Sequence, residues 1–458
     1  MGMMWDSSIV NIFDNKKIIL WGGGKINLEK FRTVNVIGVI EGERQNLPGI
    51  QVYNSDVILN MPEDTKVILV DDLWTNEIQY EFNTMLSKLG LSIGDDYIYS
   101  SMLYSKIDTN RLYCLINKDL QCFEHVIKRI IGNRKLVVIY GNCQTHALIE
   151  MIAHNKEFEK EYMICEMPRL WADEDKEKFT LMAESGILSL ADYFFTQEVR
   201  AENRFGYMAS TEYMFSLLSE KCKCFKISNL YFMGYFPQLV QRYANDTETM
   251  RIDFLGEKVF NTGRFIDYEV IELIIKGYSC DEIVRRISAD DYFDLEDLNR
   301  SIESELEKFT KREETLDIKM CDYLKDNYSK YCLFATANHP TKEMLLELSR
   351  RILTKLGISD LNILCEDDEI QAPMAKNLYF VIYPSVLKAL GLPERRYTLH
   401  VKFRGCELAV LKGIDDELDH FINEKIIYQQ ELFEIKILLT FEKYMTVYVR
   451  MLQSVLHI

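Results

Sequence analysis

Short apolar runs without alternation punctuate the first third of the chain. Residues 17–21, 34–40 and 67–70 are rich in Ile, Val and Leu, the composition of strands buried on both faces. Residues 76–89 instead carry apolar side chains three and four apart and stop at Gly90, which predicts a helix. Strands alternating with helices imply a parallel sheet. Residues 117–131 read as an amphipathic helix closed by Gly132-Asn133. Leu136-Val137-Val138-Ile139-Tyr140 is a further buried strand. After it the spacing is mostly helical, over 211–218, 268–276, 281–287, 295–310 and 344–356, the last ended by Gly357. Strand-like pieces at 378–383 and 397–403 then precede a long terminal helix over 424–456. Its broad apolar face (Ile427, Leu432, Ile435, Leu438, Leu439) needs cover from the chain or from a second copy, so a homo-oligomer through this helix is open.

This pattern predicts an α/β protein in four parts: a Rossmann-like parallel-sheet domain at 1–105, a linker helix at 106–134, a largely helical α/β domain at 135–356, and a C-terminal α+β extension at 357–458 that ends in the long helix. Within the first part, Gly22-Gly23-Gly24-Lys25-Ile26-Asn27 follows a strand and partly matches Gly-x-Gly-x-x-Gly, with Asn27 in place of the third glycine. Glu41 falls where a ribose-binding acid would sit. Dinucleotide binding and a structural or sugar-nucleotide-docking loop are both open there.

Composition narrows the classes. The chain has 458 residues, 48% hydrophobic and 27% charged, as in ordinary soluble globular proteins. Its net charge of -17 repels nucleic acid and anionic membranes, so a phosphate-bearing ligand needs a local basic pocket. No segment approaches the roughly 18 uncharged apolar residues of a membrane span. Asp6 near the start argues against a signal peptide. The 11 cysteines include no Cys-x-x-Cys pair, Cys222 and Cys224 being the nearest neighbours, which fits free thiols in a reducing cytoplasm.

Two short stretches carry candidate chemistry. Gly141-Asn142-Cys143-Gln144 closes the strand at 136–140 and opens a helix, the way a parallel sheet presents a reactive side chain at its carboxyl edge. Gly141 permits a tight turn, the Asn142 amide could donate to an oxyanion, and Cys143 could be the nucleophile, with the helix start favouring its thiolate. Read structurally, the same residues are a buried cysteine before an ordinary helix. In Asn338-His339-Pro340-Thr341, His339 in a loop is either a general base or a cap for the following helix. His146, three residues after Cys143, competes for the role of base. His146, Glu150 and His154 form a helical stripe that lacks a third strong ligand, so no metal is predicted.

The pairing of these two stretches, with Thr196-Gln197, Arg204-Phe205-Gly206-Tyr207, Ser210-Thr211 and the Tyr231-Phe232-Met233-Gly234-Tyr235-Phe236-Pro237-Gln238 segment between them, resembles the WcbI family of polysaccharide biosynthesis proteins over residues 135–356. The resemblance implies coenzyme A binding and acyl, often acetyl, transfer to a surface or capsular polysaccharide or its sugar precursor. It also implies an SGNH-like layout in which Cys143 replaces the serine and His339 is the base. The orienting Asp of that layout would fall at Thr336, which carries no charge. Asn142 and Gln144 would assist Cys143. Gly141, Gln197, Arg200, Arg204, Tyr235, Arg264 and Asn338 would face coenzyme A, the arginines meeting phosphate unless they pair with Glu198 and Glu202 at the surface. Phe232 and Phe236 read as core and Tyr235 as lining a pocket. An SGNH-type esterase or deacylase, and a non-catalytic protein that binds coenzyme A or a sugar nucleotide, are the alternatives.

Overall fold

The three apolar runs of the first third lie side by side as parallel strands β1 (Lys17–Gly22), β2 (Asn35–Glu41) and β4 (Thr65–Val70), and two short strands the spacing did not predict, β3 (Gln51–Tyr53) and β5 (Tyr97–Tyr99), complete the sheet in the order β3-β2-β1-β4-β5. The expected Rossmann-like sheet is therefore present. The computed structural model describes residues 16–22, 35–41, 51–70, 76–100, 106–108, 120–170, 175–241, 265–363, 380–404, 411–414, 416–428, 430 and 432–456. The glycine loop beyond Gly22 and Arg264 lie outside these residues.

A second parallel sheet follows, in the order β10-β9-β7-β8-β6, from β6 (Lys106–Asp108), β7 (Lys135–Tyr140), β8 (Tyr162–Glu166), β9 (Tyr193–Thr196) and β10 (Lys223–Lys226). The segment after 140 is thus less helical than its spacing predicts. β8 and β9 are short and buried almost throughout, so they show neither alternation nor the length that separates a strand from a helical turn.

Helix α1 (Asn76–Lys88) flanks the first sheet and α2 (Leu120–Ile131) joins the two in sequence. In α2, Val126, Ile127 and Ile130 turn inward and are fully buried, while Glu124, Lys128 and Arg129 face water. Gly132, at φ 57, ends the helix by donating its N–H to the Lys128 carbonyl at 3.1 Å. The inward face joins a single core that runs from Ile18 in β1 through Tyr140 in β7 to Met214. Each such aliphatic side chain contributes about 1.5–3 kcal/mol by leaving water.

The chain folds as two compact units. The first comprises residues 1–229, 316–318 and 346–366, and so holds both parallel sheets together with α3 (Gln144–Ala153), α4 (Lys156–Glu161), α5 (Lys176–Glu184) and α6 (Thr211–Leu217). The second comprises residues 230–315, 319–345 and 367–458. Its strands form three antiparallel pairs: β11 (Leu239–Gln241) with β12 (Phe265–Asp267), β13 (Phe334–Thr336) with β14 (His339–Pro340), and β15 (Tyr397–Arg404) with β16 (Leu432–Leu439). Its helices start on local signals. Asp267 caps α7 (Tyr268–Ile275), a Ser279–Glu282 capping box opens α8 (Cys280–Ile287), and Asp294 caps α9 (Leu295–Arg312). α10 (Cys321–Asn327), α12 (Pro384–Leu390), α13 (Asp416–Lys425) and α14 (Phe441–Leu456) complete its described α-helices, while α11 (Lys342–Leu356) is divided, its residues from 346 on belonging to the first unit.

The long terminal helix expected over 424–456 is corrected. Residues 432–439 form β16, in which Ile435 and Leu439 are buried while Glu434, Lys436 and Leu438 are exposed, a period of two rather than 3.6. The chain does end in a helix, but α14 begins at Phe441, and its inner face is Tyr444, Met445, Tyr448, Val449 and Leu452. The apolar stripe that suggested a second copy is therefore not one helical face. Among the described residues, no helix is long and apolar enough to cross a membrane.

Candidate functional site

The strand order reverses around β7. From β7 the chain steps to β8 on one side, then crosses to β9 and β10 on the other. Loops after adjacent strands diverge at such a reversal, and parallel α/β sheets hold ligands there, outside the carboxyl ends. Gly141-Asn142-Cys143 follows β7 and Gln197 follows β9 at this point.

Side-chain amides lock the turn. Gln197 is 2% exposed, and its Oε1 accepts the Asn142 backbone N–H at 3.0 Å. Its Nε2 donates to Gln144 Oε1 at 2.9 Å and to the Ser228 carbonyl at 3.1 Å. Asn142 Nδ2 donates to Asn229 Oδ1 at 2.9 Å, and Asn142 Oδ1 accepts the Gln144 N–H at 2.9 Å. The loops after β7, β9 and β10 are thereby tied together. Gly141 is required by closeness: a Cβ there would lie 2.4 Å from Gln197 Oε1.

Cys143 stands in helical geometry (φ -54, ψ -23) at the cap of α3. Burial pushes its thiol up to about 11, against the pull of the backbone N–H groups of Cys143 and Gln144. The expectation that the helix start favours the thiolate is thus corrected: desolvation outweighs the helix field, and the resting group is a thiol. Three residues on, His146 Nδ1 lies 2.9 Å from Glu166 Oε1, with both side chains 23% exposed. Glu166 is the last residue of β8, beside β7 in the sheet. Further along α3, His154 Nδ1 bonds the Glu150 carbonyl at 2.5 Å, and among the described residues no group of three potential ligands is gathered for a metal.

Gly141, Asn142, Cys143, Gln144 and Gln197 are thus assembled in the first unit. The expectation that Gln197 faces a cofactor is corrected, because both of its amide protons are committed to protein acceptors. Gln144 is likewise buried and braces Gln197. Arg200 and Arg204 are exposed after β9, with Arg204 Cζ 4.8 Å from the centre of the Phe205 ring.

His339, Asn338 and Tyr235 belong to the second unit. His339 pairs with Thr336 across β13 and β14, and Thr336 Oγ1 donates to Asn338 Oδ1 at 3.1 Å. Burial pulls the His339 imidazole down to about 4, so it is neutral at pH 7. Tyr235 does not line a pocket. It is fully buried, its hydroxyl bonds the carbonyls of Tyr328 (2.6 Å) and Tyr331 (3.0 Å), and Phe232 and Phe236 are core beside it. Sequence reasoning passed over Glu166, Ser228 and Asn229, which carry no motif and acquire their places only through strand pairing.

The fold and the site define an α/β domain whose parallel sheet delivers a thiol and a braced set of amides to its strand-order reversal. The family described as polysaccharide biosynthesis enzyme WcbI matches residues 136–361. Over that segment, just under half of the chain, the sequence is similar to the WcbI family. Among solved structures the chain is similar to native WcbI, a polysaccharide biosynthesis enzyme, in a form without a disulfide bond between coenzyme A and one of its cysteines. The two are 17% identical with a TM-score of 0.47, over 70% of this chain and 95% of that one. No curated protein matches the chain.

Proposed function

We propose that this protein transfers an acyl group, in the first instance acetyl, from a coenzyme A thioester to a sugar hydroxyl of a polysaccharide or its precursor. Cys143 is the attacking group. The observation that carries this reading is the placement of Cys143 at the sheet's reversal point, at the cap of α3. The Cys143 backbone N–H at this helix start can meet the oxyanion that forms when a thiol adds to a carbonyl. Similarity to a polysaccharide biosynthesis family supports the acceptor class. Exposed Arg200 and Arg204, in a chain of net charge -17, offer local positive charge to coenzyme A phosphates.

The test is incubation with acetyl-CoA, with and without sugar acceptors. Acceptor-dependent loss of the thioester, reduced about 100-fold or more in Cys143→Ala, is expected. Acetate release indifferent to acceptors would assign a hydrolase instead. A native pathway that tolerates both Cys143→Ala and His339→Ala would leave a binding protein.

A further inference from the structure

A buried thiol needs a proton acceptor, and the first unit supplies one beside it. His146 follows Cys143 by three residues in continuous helical geometry, which places the two side chains as neighbours on one face of α3. The imidazole is pinned from the adjacent strand end: Nδ1 is 2.9 Å from Glu166 Oε1, where β8 stops. A carboxylate on one ring nitrogen fixes the tautomer, keeping the proton on Nδ1 and the lone pair on Nε2.

We propose that the His146–Glu166 pair serves Cys143, with Nε2 of His146 taking the thiol proton and returning it to the departing thiolate. This rests on the reading that Cys143 is acylated by a thioester. In the forward step the S–H proton passes to Nε2, and the sulfur electron pair forms the new S–C bond at the thioester carbonyl. The original C–S bond then breaks, and the leaving thiolate takes the proton from the imidazolium. Glu166 is a positioning residue, since it meets the ring and not the substrate. The half-buried carboxylate of Glu150, one turn further along α3, is the other titratable group on this part of the helix.

The test has two arms on the full-length protein. The first measures iodoacetamide alkylation of Cys143 from pH 6 to pH 10 by peptide mass spectrometry in wild type, His146→Asn and Glu166→Gln. At pH 7.5 the His146→Asn rate is expected to fall about 10-fold or more and the Glu166→Gln rate by a smaller factor, with the three profiles drawing together as pH rises toward 10 and hydroxide takes over removal of the proton. Superimposable profiles overturn the proposal. So does a deficit of constant size across the whole range, which a merely structural role would give. The second arm follows acetyl-Cys143 formation from acetyl-CoA. Slower acetylation in His146→Asn supports the proposal, and equal rates overturn it. If wild type forms no acetyl-Cys143, the acyl-transfer reading fails while the alkylation arm still decides the proton acceptor.

Discussion

The position a side chain on Gly141 would occupy lies 2.4 Å from the Oε1 of Gln197, the same oxygen that receives the Asn142 N–H. One atom both shapes the turn before Cys143 and forbids anything larger than hydrogen inside it. Gln197 cannot withdraw without breaking its bonds to Gln144 and Ser228. Gly141→Ala should therefore destabilise the protein by about 1–3 kcal/mol through overpacking. Gln197→Ala alone leaves buried partners unmatched and should cost a similar amount, on the order of 1–3 kcal/mol. In the double variant the clash has gone, so denaturant midpoints should show losses below the sum by about 1 kcal/mol.

Cys143 sets an alkaline limit. Its thiol is at about 11 folded against 9.0 for a free cysteine, so the folded chain holds this proton to higher pH than the unfolded chain does. Stability is then lost as pH rises from 9 toward 11, by on the order of 2 kcal/mol. Thermal melts at pH 8 and pH 10.5 should fall further apart in wild type than in Cys143→Ser, which has no thiol to titrate.

His339 acts in the opposite direction. Its imidazole sits at about 4 folded and 6.5 free, so the unfolded chain binds more protons as the solution is acidified. The stabilising effect is complete above pH 6.5 and disappears toward pH 4, a loss on the order of 3 kcal/mol. Melting temperatures of wild type and His339→Gln should diverge least at pH 4.5 if the variant removes this penalty along with the packing it damages at pH 7.5.

Asp267 is buried at the cap of α7, where its carboxyl oxygens meet the Tyr383 hydroxyl at 2.9 and 3.0 Å and Oδ1 accepts the Val270 N–H at 3.1 Å. It borders a cavity of about 30 Å³ among the described residues, room for roughly one water. Burial raises this carboxyl from 3.8 to about 7 despite those bonds, so the folded state prefers it protonated and stability falls as pH rises between the two values. Asp267→Asn keeps an acceptor for the cap and carries no charge. Its melting temperature should change less than that of wild type between pH 5 and pH 8.

Much of this architecture was legible beforehand. The Ile- and Val-rich strands β1, β2, β4 and β7 and helix α2 announce themselves through composition and spacing. β8 and β9 did not, because a four- or five-residue run buried on every side has no period to read. β16 was mistaken for helix since Leu432, Ile435, Leu438 and Leu439 also satisfy a three-four spacing, and only its antiparallel pairing with β15 decides the matter. At the site, Gly141 and Cys143 were visible as a turn and a thiol. Gln197 was visible as a residue but not in its role, for a hydrogen-bond partner 55 positions away in sequence is set by strand register alone. Burial explains the two reversals, Tyr235 moving from pocket to core and Cys143 from thiolate to thiol.

The clamp formed by Asn142, Gln144, Gln197 and Asn229 consists wholly of carboxamides. Such groups neither gain nor lose protons in ordinary buffers, so the scaffold is electrically silent across the working range of the chemistry it supports. A pH–rate profile of this protein would consequently carry no contribution from the protonation of this clamp.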